Sequence, residues 1–252
     1  MGPVHRIAPE IRSTCPGWPI RLQFCLPGQY EWRDSMTKRQ QRRIRLEMTA
    51  TRIGLFGGTF DPVHYGHLMA AETCREMLQL DQVRFVPAAV PPHKLNESIT
   101  DGHARADMLN LALSGYPEFV VDRRELKRTG PSFTVDTLTE FSHEFPDAEL
   151  YFLMGADSLR DLMTWKQPRQ IAALATLLVC RRPGVATLEV SQVVEWVGEE
   201  IAARVISVAL PGTDLSASDL RQRVRDGKRL RFRTPRAVEV FIEQNKLYRA
   251  KN

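Results

Sequence analysis

The chain has 252 residues, 43% of them hydrophobic and 26% charged, which suffices for one sizeable core and excludes a largely disordered chain. The formal charge of +5 is local. Nine Lys/Arg face four acids in residues 1–50, and the remainder balances at twenty-six of each sign, which weakens the case for a general phosphate-backbone binder.

Residues 1–48 read as a flexible basic arm, with scattered Pro and Gly ahead of the run Lys38-Arg39-Gln40-Gln41-Arg42-Arg43-Ile44-Arg45. Met36 and Met48 both precede the ordered pattern, and a translation start at Met48 fits the strand that begins just after it. A rival reading makes the arm a nucleic-acid-binding element, but it stands apart from every motif below. The N-terminus lacks the apolar stretch of a secretory signal. The longest apolar run, Ile171 to Cys180, is interrupted by Thr176 and reads as a buried segment rather than a membrane span. Cys15, Cys25, Cys74 and Cys180 form no C-x-x-C pair, so free thiols in a cytoplasmic protein are expected.

Residues 49–252 read as one α/β domain. Strand-like runs at 52–56, 83–87, 119–122, 150–154, 176–180 and 205–210 alternate with helical stretches near 67–78, 105–114, 135–144 and 191–203. Two further helices, near 218–226 and 235–244, close the chain. Apolar strands separated by amphipathic helices predict a Rossmann-like, doubly wound, mostly parallel sheet covered on both faces, with a C-terminal helical segment. Ligands of such sheets bind at the carboxyl ends of the strands, where the strand order reverses.

The first strand runs into Gly57-Gly58-Thr59-Phe60-Asp61-Pro62. A glycine pair alone is an ordinary tight turn, although it also lets a phosphate approach the backbone and permits positive φ. His64-Tyr65-Gly66-His67 then sets two imidazoles three residues apart at a helix start. Helix amides and imidazoles together favour a polyphosphate; a zinc pair would want further ligands, and no supporting cluster is evident.

The stretch from Gly57 to His67 resembles the signature of the nucleotidylyltransferase superfamily, G-T-F-D-x-x-H-x-G-H. From about residue 52 to 249 the chain is similar to one member family, the bacterial nicotinate-nucleotide adenylyltransferases. The resemblance implies adenylyl transfer from ATP to nicotinate mononucleotide, giving nicotinate adenine dinucleotide and pyrophosphate. It places Gly57, Gly58, Thr59, Phe60, His64 and His67 on ATP. Pro91-Pro92-His93-Lys94, otherwise a stiff surface loop, would bring His93 and Lys94 to the phosphates. Leu215-Ser216-Ala217-Ser218-Asp219-Leu220-Arg221 resembles I-S-x-T-x-x-R and adds Ser216, Ser218 and Arg221. His64, His67, Lys94 and Arg221 are the expected catalytic groups.

For the acceptor, Pro131-Ser132-Phe133-Thr134 reads first as a capped helix start. By resemblance Thr134 lies against the nicotinate carboxylate, with Phe133 where Tyr is more usual. Gly155 and Asp157 of Met154-Gly155-Ala156-Asp157-Ser158-Leu159 serve ATP, Asp157 also the acceptor, while Trp165 offers a stacking face and Arg182 a fork for the acceptor's phosphate. Without the resemblance, core packing for Trp165 and a helix cap for Asp157 are the better readings. Phe241-Ile242 and Leu247-Tyr248 match the family's terminal helix and read as packing only. Mg²⁺ is expected to travel with ATP, with no metal site built by the protein. Adenylyl transfer to phosphopantetheine, or cytidylyl transfer, is the nearest rival within the superfamily. The sequence leaves a homo-oligomer open.

Overall fold

The computed structural model describes residues 50–91, 99–181, 189–212 and 214–249; the proposed arm at 1–48 lies outside them. The six apolar runs become strands β1 (Arg52–Gly58), β2 (Gln82–Pro87), β3 (Phe119–Val121), β4 (Glu149–Gly155), β5 (Thr176–Arg181) and β6 (Val205–Ala209). They form one sheet in the order β3-β2-β1-β4-β5-β6, parallel at every pairing. This is the doubly wound order, and β1 sits at its reversal between β2 and β4.

Helices connect and cover the strands: α1 (Tyr65–Leu78), α2 (Gly102–Leu113), α3 (Thr134–Glu144), α4 (Ala156–Arg160), α5 (Pro168–Leu174), α6 (Val190–Ala202), α7 (Ala217–Arg225) and α8 (Arg236–Gln244). Side chains alternate across the sheet because a strand has period two. Phe152 and Met154 of β4 enter one core with Leu138, Ile171 and Val197, whereas Tyr151 and Leu153 enter the other with Val83, Phe85 and Leu109. Burial on both faces is why these strands read as continuous apolar runs.

The strand expected at 176–180 forms as β5, and the run from Ile171 divides just before Thr176, where α5 has ended at Leu174. Two local expectations change. The helix expected near 191–203 is interrupted at Gly198, whose φ of 78° and ψ of 163° break the ladder. Ser132 does not cap α3. The N-cap is Phe133, without a side-chain cap, and Ser132 Oγ instead accepts from Ala89 N at 3.0 Å while Ser132 N donates to Val90 O at 3.0 Å. Ser132 therefore ties the α3 entrance to the chain leaving β2.

Candidate active site

The signature begins inside β1. Gly57 and Gly58 pair with Val86 and Pro87 of β2, and neither is among the glycines with positive φ. The left-handed residue of the turn is Phe60, at φ 51°. A Cβ on Gly58 would stand 2.8 Å from Cζ of Phe60, so glycine is needed there to admit the ring. Phe60 is 2% exposed and meets Phe56, Phe85 and His67 at 5.1–5.6 Å between centroids. Its side chain thus lies beneath the site as support for His67. Contacts of this kind contribute about 0.5–1.5 kcal/mol each beyond area burial.

His64 is the N-cap of α1 and is buried; His67 is the helix's third residue. Their rings stack with centroids 3.7 Å apart and planes 26° from parallel. His64 N donates to Nδ1 of His67 at 3.3 Å. With Nδ1 of His67 accepting, its proton belongs on Nε2, which is therefore a donor. His64, His67, Gly155, Cys180 and Ser216 line one cavity of about 240 Å³. The carboxyl ends of β1 and β4, neighbours in the sheet, frame it. Gly155 pairs with Cys180 of β5 and has open space where a Cβ would stand. Asp157 lies in the first turn of α4 and is exposed.

Ser216 caps α7, its Oγ accepting from Asp219 N at 3.1 Å. One turn on, Arg221 donates to Ser218 Oγ at 3.3 Å and to the Asp61 carbonyl at 2.8 Å. The second serine motif is thereby tied to the first, 160 residues away. Arg221 and Ser218 are not among the residues lining the 240 Å³ cavity; they join the site through the signature turn.

Thr134 and Trp165 line a second, smaller cavity of about 110 Å³ with Ser132, Phe133 and Lys166. Trp165 follows the 3₁₀ turn Leu162–Thr164 and meets Phe152 edge-on, with centroids 6.3 Å apart. No side chain caps the first amides of α3, whose N-cap Phe133 and first residue Thr134 line this cavity. Lys166, which no motif singled out, bridges to Asp136 at 3.0 Å and lies 4.7 Å from the centre of the Phe133 ring. His93, Lys94 and Arg182 lie outside the described residues; Arg181 donates to Ser207 Oγ at 2.7 Å.

Motif reading passed over Asp61, Cys180 and Lys166, and it misjudged Tyr248. The Tyr248 hydroxyl donates to Oδ1 of Asp61 at 2.6 Å, so the C-terminal segment makes a specific polar contact with the signature and does more than pack. A carboxylate inside the apolar signature turn was the available signal, for a buried carboxylate must find donors.

Comparison with known proteins identifies the family. A family model described as cytidylyltransferase-like matches residues 55–223. A Thermomicrobium roseum protein described as "Probable nicotinate-nucleotide adenylyltransferase" is 48% identical over 202 residues, covering 79% of this chain and 92% of its own. A Thermus thermophilus protein of the same description is 45% identical over 198 residues, covering 79% and 100%. A solved Plasmodium falciparum nicotinic acid mononucleotide adenylyltransferase, complexed with NaAD, aligns with a TM-score of 0.63 over 79% of this chain and 97% of its own. At 17% identity that likeness concerns the fold alone. The chain belongs to the cytidylyltransferase-like family and, within it, to the nicotinate-nucleotide adenylyltransferases.

Proposed function

We propose that this chain is a cytoplasmic enzyme of NAD biosynthesis that transfers the adenylyl group of ATP to nicotinate mononucleotide, releasing pyrophosphate and nicotinate adenine dinucleotide. The observation that carries the reading is the stacked His64–His67 pair at the N-terminus of α1, opening into one cavity with Gly155 and Ser216 at the sheet's reversal. Helix amides and an imidazole N–H there suit a polyphosphate.

The acceptor's phosphate is itself the nucleophile, attacking the α-phosphorus in line, so no serine or cysteine nucleophile is required. Catalysis then rests on placement and on stabilising charge. Nε2–H of His67 would donate to oxygens near the α- and β-phosphates, with His64 stacked behind it. Arg221 and Lys94 would hold the leaving pyrophosphate, joined by His93 and the hydroxyls of Ser216 and Ser218. Gly57, Gly58 and Thr59 would supply backbone along the nucleotide, and Asp157 would accept hydrogen bonds from a ribose or an amide.

On the acceptor side, Trp165 would stack on the pyridine ring and Arg182 would bind the mononucleotide's phosphate. The uncapped amides at Thr134 favour a carboxylate over a neutral amide, which supports nicotinate as the base. Mg²⁺ would accompany ATP and neutralise charge on the leaving pyrophosphate.

Pyrophosphate release tests the reading, with ATP, Mg²⁺ and one of three acceptors: nicotinate mononucleotide, its amide analogue or phosphopantetheine. Strong preference for the nicotinate acceptor is expected. Preference for phosphopantetheine would overturn the substrate, and no turnover with any of the three would overturn the activity.

A further inference from the structure

The signature turn is held from below by a polar strut that the chemistry above does not use. Asp61 is 3% exposed, yet its carboxylate is doubly engaged. Oδ1 accepts from the Tyr248 hydroxyl at 2.6 Å, and Oδ2 accepts from Thr100 N at 3.2 Å. Its own carbonyl accepts from Arg221 at 2.8 Å. One residue therefore faces the C-terminal segment, the start of α2 and a candidate catalytic guanidinium.

Arg105 completes the arrangement from α2. It is 1% exposed, the largest fully buried side chain among those described. Its Nη1 donates to Thr59 O at 2.7 Å, Nη2 to Ala88 O at 2.6 Å, and Nε to Thr100 O at 2.8 Å. A planar guanidinium serves three carbonyls from separate segments, which a lysine could not do with the same geometry. The buried charges of Asp61 and Arg105 make such a strut costly unless it is fully bonded, so it holds one arrangement firmly.

Two more contacts anchor the C-terminal segment to the same turn. Thr234 Oγ1 donates to Val63 O at 2.8 Å, and Tyr65 N donates to Arg233 O at 3.0 Å. The segment thus grips the signature on both sides of His64.

We propose that Asp61, Arg105 and Tyr248 are positioning residues for adenylyl transfer, fixing the signature turn and, through the Asp61 carbonyl, the guanidinium of Arg221. None needs to touch substrate. This inference rests on the transferase reading above. It concerns the ATP side through Asp61 and Tyr248, whose contacts run to the signature turn and to Arg221.

Tyr248→Phe is the cleanest test because it deletes one hydroxyl and keeps the ring. The expected result, in pre-steady-state turnover with ATP and nicotinate mononucleotide, is a kcat lower by about 10–100-fold, the range that a small misplacement costs. KM for the acceptor should stay close to wild type, while the melting midpoint falls because a buried acceptor loses its donor. Asp61→Ala, which removes the acceptor, and the double variant test the route. If Tyr248 acts through Asp61, the double variant falls no further than Asp61→Ala alone. Arg105→Lys should lower kcat as well.

Unchanged kcat per folded Tyr248→Phe molecule, with only the melting midpoint lowered, would overturn the proposal. So would independent, multiplicative effects of Tyr248→Phe and Asp61→Ala. If Asp61→Ala does not fold, Tyr248→Phe and Arg105→Lys still decide. Absence of turnover in the wild type would instead defeat the transferase reading, a separate outcome.

Discussion

His64 N donates to Nδ1 of His67, and the two rings stack 3.7 Å apart. A backbone amide thereby fixes the His67 tautomer, with the proton on Nε2, and both histidines line one cavity. His67→Ala should lower kcat by about 10²–10³-fold, the effect of losing one preorganised donor. His67→Gln, which restores an N–H, should recover part of the loss. Folding should change little, since His67 is only half-buried. Single-turnover rates beside thermal melts would check this, and wild-type turnover in His67→Ala would remove the histidine from the mechanism.

Trp165 sits between two roles, supporting Phe152 and lining the smaller cavity with Thr134. Trp165→Ala should raise KM for nicotinate mononucleotide by about 5- to 150-fold, since base–aromatic stacking contributes about 1–3 kcal/mol. KM for ATP should stay nearly constant. Trp165→Phe, which keeps a π-face, should fall in between. If Trp165 only packs, both variants will melt earlier while KM for either substrate stays the same.

Glu125 supplies a pH test of the α3 entrance. It is 7% exposed, and burial raises its pKa against the opposing effects of hydrogen bonds from Thr137 and Ser132 and of the Arg128 charge. Above the ordinary carboxylate value of 4.5, the folded state therefore binds this proton more tightly than the unfolded state. The contribution to stability is full below that value and is lost as pH rises through the folded pKa. Glu125→Gln keeps an acceptor for Thr137 without the charge. The fall in melting midpoint from about pH 4.5 to about pH 7 should be smaller in this variant than in wild type. Equal slopes would show that Glu125 does not titrate differently on folding.

Much of this architecture was legible because strands buried on both faces leave uninterrupted apolar runs. The run at 83–87 became β2 with one added residue, and the run at 176–180 became β5 in the same way. Pairing each signature with the element that follows it was equally visible, since His64 and Ser216 begin α1 and α7. What escaped depends on tertiary partners. Tyr248 and Asp61 are 187 residues apart, so no local pattern could separate a strut hydroxyl from packing. Ser132 looked like a cap because capping chemistry is local, whereas its actual partner, Ala89, comes from the chain after β2.

The thiols of Cys74 on α1 and Cys180 on β5 stand 3.5 Å apart, and Cys180 lines the His64–His67 cavity. The two thiols are within hydrogen-bond distance, and either sulfur can be the donor. Cys74 is buried and Cys180 half-buried, so Cys180 is the more accessible of the pair to a reagent that reacts with the thiolate. Iodoacetamide should therefore label Cys180 well before Cys74, as read by peptide mass spectrometry, and activity should fall in step with that label. Saturating ATP should slow both, because the nucleotide would occupy the cavity that the reagent must enter. A Cys180→Ala enzyme should resist inactivation. Labelling of Cys180 at the same rate with and without ATP would place the nucleotide elsewhere, and with it the whole assignment of this cavity.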